Sequence, residues 1–145
     1  MLTKPSLTLK RRIKASPEKV WAAWTDPQKI VQWFGPKEAV ASSVRAALDV
    51  RAGGRFQFDF VTRDGEKHRV GGSYREVVPP SRLSFTWAWH TTPERESFVV
   101  ITIAPDSEGS LLTLHHEQFF DEKARDGHQR GWTGTLEKLD RFLTS

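Results

Sequence analysis

The stretch HQRGWTGTLEKLDRFL, residues 128–143, decides the fold, because it completes the one long segment whose apolar residues recur at helical spacing. Asp121 can cap a helix that we predict to run from there to about residue 143. The stripe that this helix would bury comprises His128, Trp132, Thr135 or Leu136, Leu139 and Phe142 or Leu143.

Trp132 lies between two glycines, Gly131 and Gly134, in the middle of this predicted helix. A glycine inside a helix costs roughly 0.5–1 kcal/mol of stability relative to alanine, so a compensating role is expected. The missing side chains could admit a ligand or let a strand approach closely, with Trp132 capping the space. The alternative is close packing of the helix on a sheet and nothing more.

One strand and two short helices are predicted near the N-terminus. LTLKRRI at 7–13 alternates between apolar and polar residues, as a half-buried strand does. Ser16-Pro17 and Asp26-Pro27 each place an N-cap residue before a proline at the first helical position, and predict short helices over SPEKVWAAW and DPQKIVQWF. Gly35-Pro36 should end the second helix.

From residue 43 onward the apolar pattern changes to a period of two, which predicts six consecutive antiparallel strands. Asp64-Gly65 fits the tight turn of a hairpin, and Pro79-Pro80-Ser81 marks the next turn. Gly53-Gly54 and Gly71-Gly72 lie where bends or bulges would help the sheet to curl. The strand segments are SVRAALDV, the two arms of GRFQFDFVTRDGEKHRVGGSYREVV, the run containing Leu83, Phe85, Trp87 and Trp89, ESFVVITIAP and SLLTLHHEQF.

These elements make one α+β domain over residues 1–145, because a sheet of about seven strands must bury its apolar face and the C-terminal helix is the only cover. A strongly twisted sheet curls around a straight helix and cannot touch it everywhere. The expected fold is therefore a curved antiparallel sheet wrapped around the long helix. A cavity should lie between them, walled at one end by the two short helices.

The composition argues against several classes of function. A formal net charge of +4 with 28% charged residues does not indicate nucleic-acid binding. The absence of cysteine excludes disulfides and thiolate metal sites. No segment approaches the roughly 20 apolar residues of a membrane span, and the N-terminus does not resemble a signal peptide, so a cytoplasmic location is expected. The sequence has neither a Gly-rich phosphate loop nor a nucleophile elbow, and no cofactor is expected. His115-His116 would point to opposite faces of a strand and could not chelate one metal ion.

Five sequence blocks occur in the order and spacing of a known family, and together they span about residues 7–143. The chain resembles bacterial proteins similar to the C-terminal domain of the activator of the heat-shock-protein-90 ATPase, within the SRPBCC or START-like superfamily. The resemblance implies a helix-grip fold with a hydrophobic cavity. It does not by itself imply a catalytic residue or the chaperone activity. The blocks are SPEKVWAAWTDPQKIVQWFGP, GGRFQFDF, GGSYREVVPPSRLSFTW, LTLHHEQF and GHQRGWTGTLEKLDRFL.

Aromatic residues and two histidines are the candidates to line that cavity and bind a ligand. The alternative for any one of them is an ordinary place in the hydrophobic core. Trp21 and Trp24 are interpreted instead as anchors of the first helix. The candidate ligand-binding residues are Trp33, Phe34, Phe56, Phe58, Phe60, Tyr74, Phe85, Trp87, Trp89, His116, His128 and Trp132.

Three polar residues fall on predicted inward faces and therefore need partners: Arg11, Glu76 and His116. Glu76 could meet Arg11 or a ligand, and the alternative for both is a structural ion pair at the end of the sheet. His116 could contact a ligand or act as an acid or base. Its structural alternative is a buried histidine bonded to a neighbouring hydroxyl or water.

Three classes of function remain open. The favoured class is binding of a small hydrophobic or aromatic ligand or lipid, with polar contacts from His116, His128 and Tyr74. The second is a protein-interaction module for a chaperone or another protein, which predicts a contiguous exposed patch. The third is an enzyme of the cyclase or hydrolase kind, which needs an inward acid or base beside an accessible pocket. Partners are thus a small ligand or a protein, and the chain is expected to be a monomer or homodimer.

Overall fold

The computed structural model describes residues 4–144, and its one long helix is the predicted C-terminal one. This helix, α3, runs Glu122–Thr144, and the Asp121 carboxylate accepts a hydrogen bond from the Ala124 N–H at 2.8 Å. The predicted cap and helix are thus confirmed. The residues that α3 buries are Trp132, Thr135, Leu136 and Leu139.

Seven antiparallel strands form a single sheet in the order β1-β7-β6-β5-β4-β3-β2. Every consecutive pair from β2 to β7 is a neighbour in this order, and β1 closes the other side against β7. The open curved sheet and α3 make the α+β helix-grip fold that was expected. The strands are β1 (Leu7–Ile13), β2 (Arg45–Leu48), β3 (Arg55–Val61), β4 (Lys67–Val78), β5 (Arg82–Trp89), β6 (Ser97–Asp106) and β7 (Gly109–Glu117).

Two short helices and a single 3-10 turn fill the connection between β1 and β2. Helix α1 spans Pro17–Thr25, α2 spans Pro27–Ile30, and the 3-10 turn covers Ala41–Ser43. The prediction that the second helix reaches Phe34 was wrong, because the chain leaves the helical path after Ile30. Phe34 instead stacks on Phe58, with ring centroids 3.9 Å apart, so the turns after α2 deliver this ring to the sheet.

The irregularity in β4 lies a few residues after the place that the sequence predicted for it, Gly71-Gly72. The pairing of β4 with β5 shifts by one residue between Tyr74 and Glu76, just after the two glycines and not at them. A one-residue shift turns the following side chains to the opposite face, so Glu76 points outward and not into the core. There its carboxylate accepts hydrogen bonds from Arg82 at 3.1 Å and Ser84 at 3.0 Å, which lower its pKa.

Arg11 also has a different partner from the one suggested by sequence. Its Nε lies 2.9 Å from Oδ2 of Asp140, so the ion pair ties the edge strand β1 to α3 and does not involve Glu76. The two side chains are 36% and 25% exposed, which makes this a solvent-screened pair of modest stabilising effect.

Among residues 4–144, no helix has both the length and the hydropathy needed to cross a bilayer.

Gly72→Ala should destabilise the protein, because an added Cβ would lie 2.1 Å from the carbonyl oxygen of Thr86 on the neighbouring strand. Backbone cannot give way as a flexible side chain can, so we expect a loss of about 1–3 kcal/mol in the free energy of unfolding, the usual range for overpacking. Urea denaturation measures it. Ser73→Ala on the same strand is the control, and equal stability of the two variants would contradict the close approach.

Candidate functional site

An open cavity of about 720 Å³ lies between the first half of α3, β3, β5 and the residues that follow α2. Its volume is within the range of small-molecule sites. Its lining residues are Phe34, Gly35, Pro36, Phe60, Trp87, Trp89, Arg95, Asp121, Lys123, Ala124, Gly127, His128, Arg130, Gly131, Trp132 and Thr135.

The structure brings half of the twelve predicted site residues to this cavity: Phe34, Phe60, Trp87, Trp89, His128 and Trp132. Four others, Phe56, Phe58, Tyr74 and Phe85, pack deeper around a residual space of only about 10 Å³. That is the least volume that could hold a single water molecule. The inner part of the space between sheet and helix is therefore filled by aromatic rings, and only its outer part is open.

The remaining two predicted residues, Trp33 and His116, are buried and do not line the cavity. The indole N–H of Trp33 donates to the carbonyl oxygen of Ala23 at 3.1 Å, which fixes the turn after α2 against α1. Trp24, expected to anchor α1, is 3% exposed. Its Nε1 is the one buried side-chain nitrogen or oxygen in the described part of the chain without a hydrogen-bond partner.

His116 joins α3 to three strands of the sheet through a chain of hydrogen bonds. The indole N–H of Trp132 donates to His116 Nδ1 at 3.0 Å, so the imidazole proton is on Nε2, which lies 2.7 Å from Oγ of Ser97. The Ser97 hydroxyl in turn donates to the Trp87 carbonyl at 3.2 Å. Every polar atom is used, so His116 is the buried histidine bonded to a hydroxyl that the structural alternative described.

His128, beside the cavity, has the opposite tautomer. Its Nδ1 lies 2.7 Å from the carbonyl oxygen of Ala124, one turn earlier in α3, and must therefore carry the proton. Nε2 then accepts from the indole N–H of Trp89 at 2.9 Å and more weakly from that of Trp87 at 3.4 Å. The imidazole and both indoles on this wall thus satisfy one another.

Both imidazoles are held neutral by their surroundings. Burial lowers the pKa of His116 well below its ordinary value, and nearby His128 lowers it further. Burial also lowers the pKa of His128, although its bond to the Ala124 carbonyl opposes this. Protonation of His116 at Nδ1 would place a new N–H against the indole N–H of Trp132. Protonation of His128 at Nε2 would do the same against the indole N–H of Trp89. His115, by contrast, faces outward and bonds to Thr8 at 2.8 Å, which confirms that the two adjacent histidines point to opposite faces.

The glycines of α3 have two different roles. A Cβ on Gly131 would meet no atom within 4 Å and would project into the cavity, and one on Gly127 would meet only the Arg130 guanidinium at 3.9 Å. Gly134 instead faces the backbone of Lys37, with the nearest atom 3.3 Å away. Gly131 thus borders open space in the cavity, whereas close approach of a loop accounts for Gly134. Sequence reasoning missed Gly127, one turn before Gly131.

The loop that carries Phe34 is fastened to α3 by two polar side chains. The Thr135 hydroxyl donates to the carbonyl oxygen of Gly35 at 2.8 Å, and the Lys138 ammonium lies 3.3 Å from that of Pro36. Burial lowers the pKa of Lys138. These bonds fix the loop edge of the cavity, so its shape is set by main-chain contacts and not by side chains alone.

Charged residues form the outer edge of the cavity, and sequence reasoning missed all of them: Arg95, Asp121, Lys123 and Arg130. Arg95 lies in the β5–β6 connection, and its guanidinium carbon is 3.9 Å from the ring centroid of Phe120. Asp121, Lys123 and Arg130 come from α3 and its cap. In the sequence, each of them is indistinguishable from an ordinary solvent-exposed charged residue. Only the fold brings them together at the opening of the cavity.

Comparison with known proteins assigns the chain to a family. The family model described as activator of Hsp90 ATPase homolog 1-like protein matches residues 14–144. A solved structure from Chromobacterium violaceum is 28% identical and has a TM-score of 0.84, covering 97% of this chain and 98% of its own. An AHSA1 protein from Silicibacter pomeroyi is 30% identical with a TM-score of 0.81, covering 96% of this chain and 97% of its own. No curated protein matches the chain.

The free energy of unfolding should fall as the pH drops below about 6.5. This is the ordinary pKa of histidine, and histidines in the unfolded chain have it. In this range the unfolded chain takes up protons that the folded protein, with its lowered His116 pKa, does not, so stability rises with pH. Each such histidine contributes about 1.4 kcal/mol per pH unit until the pH reaches its folded-state pKa. Urea titrations between pH 8 and pH 5 measure the slope.

His116→Gln should lessen this slope, because it removes one of the two buried histidines whose pKa is lowered in the folded protein. His115→Gln, on the outer face of the same strand, is the control and should keep the slope. An unchanged slope in His116→Gln would show that this histidine is not the source of the pH dependence.

Proposed function

This chain belongs to the family of activator of Hsp90 ATPase homolog 1-like proteins, and we propose that it binds a small apolar or aromatic molecule in the cavity beside α3. The observation that carries the proposal is the cavity itself. It combines a volume of about 720 Å³ with an aromatic wall whose polar atoms already have partners.

An apolar ligand fits this wall better than a polar one. The indole N–H groups of Trp87, Trp89 and Trp132 all donate to imidazole nitrogens. A ligand hydroxyl or carbonyl at the wall would have to displace one of these bonds or stay without a partner, which costs free energy in a buried place. An aromatic or aliphatic body would only exchange its contact with water for contact with rings, which is favourable.

Gly131 supports a ligand in this space. An alanine there would remove the cost of a glycine inside a helix, and its Cβ would meet no atom within 4 Å, so folding alone does not call for glycine. What a larger residue would remove is cavity volume. The position is therefore suited to binding and not to stability.

The partner-binding alternative predicts a contiguous exposed patch, either apolar or charged. The exposed large hydrophobic residues of the described chain are Val40, Val78 and Phe120, which belong to three separate segments. Phe120 is covered in part by Arg95. No apolar patch thus favours a protein partner over a small ligand.

The enzymatic alternative needs a free acid or base that faces the cavity. His128 is the histidine that lines it, and both of its ring nitrogens are engaged, one by Ala124 and one by Trp89. Asp121 is the acid at its edge, and its carboxylate caps α3 by accepting from the Ala124 N–H. Tyr74, another predicted polar contact, belongs to the packed inner cluster, and burial raises the pKa of its hydroxyl. The arrangement therefore supports binding over catalysis.

Gly131→Leu should abolish uptake of an apolar ligand while keeping or raising stability. The leucine would occupy the cavity, and loss of a mid-helix glycine gains roughly 0.5–1 kcal/mol. Binding of N-phenyl-1-naphthylamine, an uncharged dye that becomes fluorescent in apolar sites, measures uptake, and thermal unfolding measures stability.

Gln129→Leu is the matched control, because it adds the same side chain to an exposed position of α3 outside the cavity. It should bind the dye as the unchanged protein does. If Gly131→Leu also bound the dye with unchanged affinity, the cavity would not be the binding site. If the unchanged protein did not take up the dye at all, the proposal of an apolar site would fail.

A further inference from the structure

We propose that the ligand is an amphiphilic acid: its apolar body lies against the aromatic wall and its anionic group binds at the edge formed by Arg95, Lys123 and Arg130. This inference rests on the proposed function and narrows its ligand to one chemical class. The reason is that, within the described chain, free hydrogen-bond donors and unpaired cations for a ligand lie only at the outer edge of the cavity.

Polar recognition is unavailable along the inner wall. His128 uses both ring nitrogens, and the indole N–H groups of Trp87 and Trp89 donate to it. The Thr135 hydroxyl lies 2.8 Å from the carbonyl oxygens of both Gly35 and Gly131, and its single proton is shared between these two acceptors. A charged or hydrogen-bonding group of a ligand would find no free donor there. It must therefore lie at the outer edge.

The outer edge carries a net positive charge. Arg95, Lys123 and Arg130 have no carboxylate within 4.0 Å among residues 4–144, whereas Arg125, elsewhere on the same helix, is paired with Asp126 at 2.8 Å. Asp121 is the one acid at this edge, and its Oδ1 accepts from the Ala124 N–H at the start of α3. Three cations against one acid leave an excess that a carboxylate, sulfonate or phosphate on a ligand would neutralise.

Arg95 is held at this edge by its neighbour. Its guanidinium carbon lies 3.9 Å from the ring centroid of Phe120, a cation–π contact with an aromatic residue that is otherwise 57% exposed. Such a contact uses the face of the guanidinium and leaves its N–H groups free. The planar fork of donors suits a bidentate anion.

Two dyes with the same ring systems separate the anionic contribution from the apolar one. 8-Anilino-1-naphthalenesulfonate carries a negative charge, and N-phenyl-1-naphthylamine lacks it. At low ionic strength we expect the sulfonate dye to bind about tenfold more tightly than the neutral dye. This preference should collapse in about 1 M NaCl, where the Debye length is about 3 Å.

The triple variant Arg95→Gln, Lys123→Gln, Arg130→Gln should lose the preference. We expect its affinity for the sulfonate dye to fall about tenfold, the combined effect of three exposed charges, with its affinity for the neutral dye unchanged. A second triple variant, Lys10→Gln, Lys29→Gln, Arg141→Gln, removes the same charge from exposed positions outside the cavity and should keep the preference.

The outcomes are distinguishable from failure of the proposed function. If the unchanged protein binds neither dye, the cavity is not an apolar site and both proposals fail. If it binds the neutral dye but shows no preference for the sulfonate, the acid proposal is overturned and the proposed function stands. Equal losses of sulfonate affinity in the two triple variants would also overturn it, because the preference would then come from net charge alone.

Competition identifies the apolar body of the acid. Sodium dodecanoate presents a carboxylate on an acyl chain, and sodium 1-naphthoate presents one on an aromatic ring. Displacement of the sulfonate dye by either supports the proposal, and the stronger competitor shows whether a chain or a ring fits the wall. Failure of both to displace the dye would overturn it.

Discussion

The hydrogen bond from the Trp132 indole to Nδ1 of His116 is the interaction on which the rest of the structure depends, because it fixes the single long helix to the middle of the sheet. His116 lies on β7, opposite Leu7 of β1 and Val99 of β6, and it passes the connection on to Ser97 and the carbonyl of Trp87. One neutral imidazole therefore ties α3 to three strands, β7, β6 and β5.

This connection also divides the space between helix and sheet in two. On the inner side, rings from the sheet and from the turns after α2 fill the volume, and the stacked pair of Phe34 and Phe58 closes it. On the outer side, Gly127 and Gly131 leave the helix without side chains that would fill the gap. A helix-grip fold creates room between a curved sheet and a straight helix, and the choice between aromatic rings and glycines decides which part of that room stays open.

Sequence periodicity predicted the fold, and six of the twelve candidate site residues line the open cavity. The period-two pattern and the capping signals gave the strands and helices, and the mid-helix glycine at 131 marked the cavity. Parity failed at Glu76, because a one-residue shift in strand pairing leaves no trace in the pattern of apolar residues. It also could not separate Phe60, which borders the cavity, from Phe58, which does not, since both face inward.

Five of the six tryptophans lie so close together that light absorbed by one is shared with the others. Ring centroids of Trp24 and Trp33 are 4.8 Å apart, those of Trp24 and Trp132 6.3 Å, and those of Trp132 and Trp87 5.1 Å, while Trp89 lies 5.7 Å from Trp87 at the open end. Excitation passes readily between indoles at such distances. A quencher that touches only Trp89 would therefore reduce the emission of all five, including that of Trp24 and Trp33, which do not line the cavity.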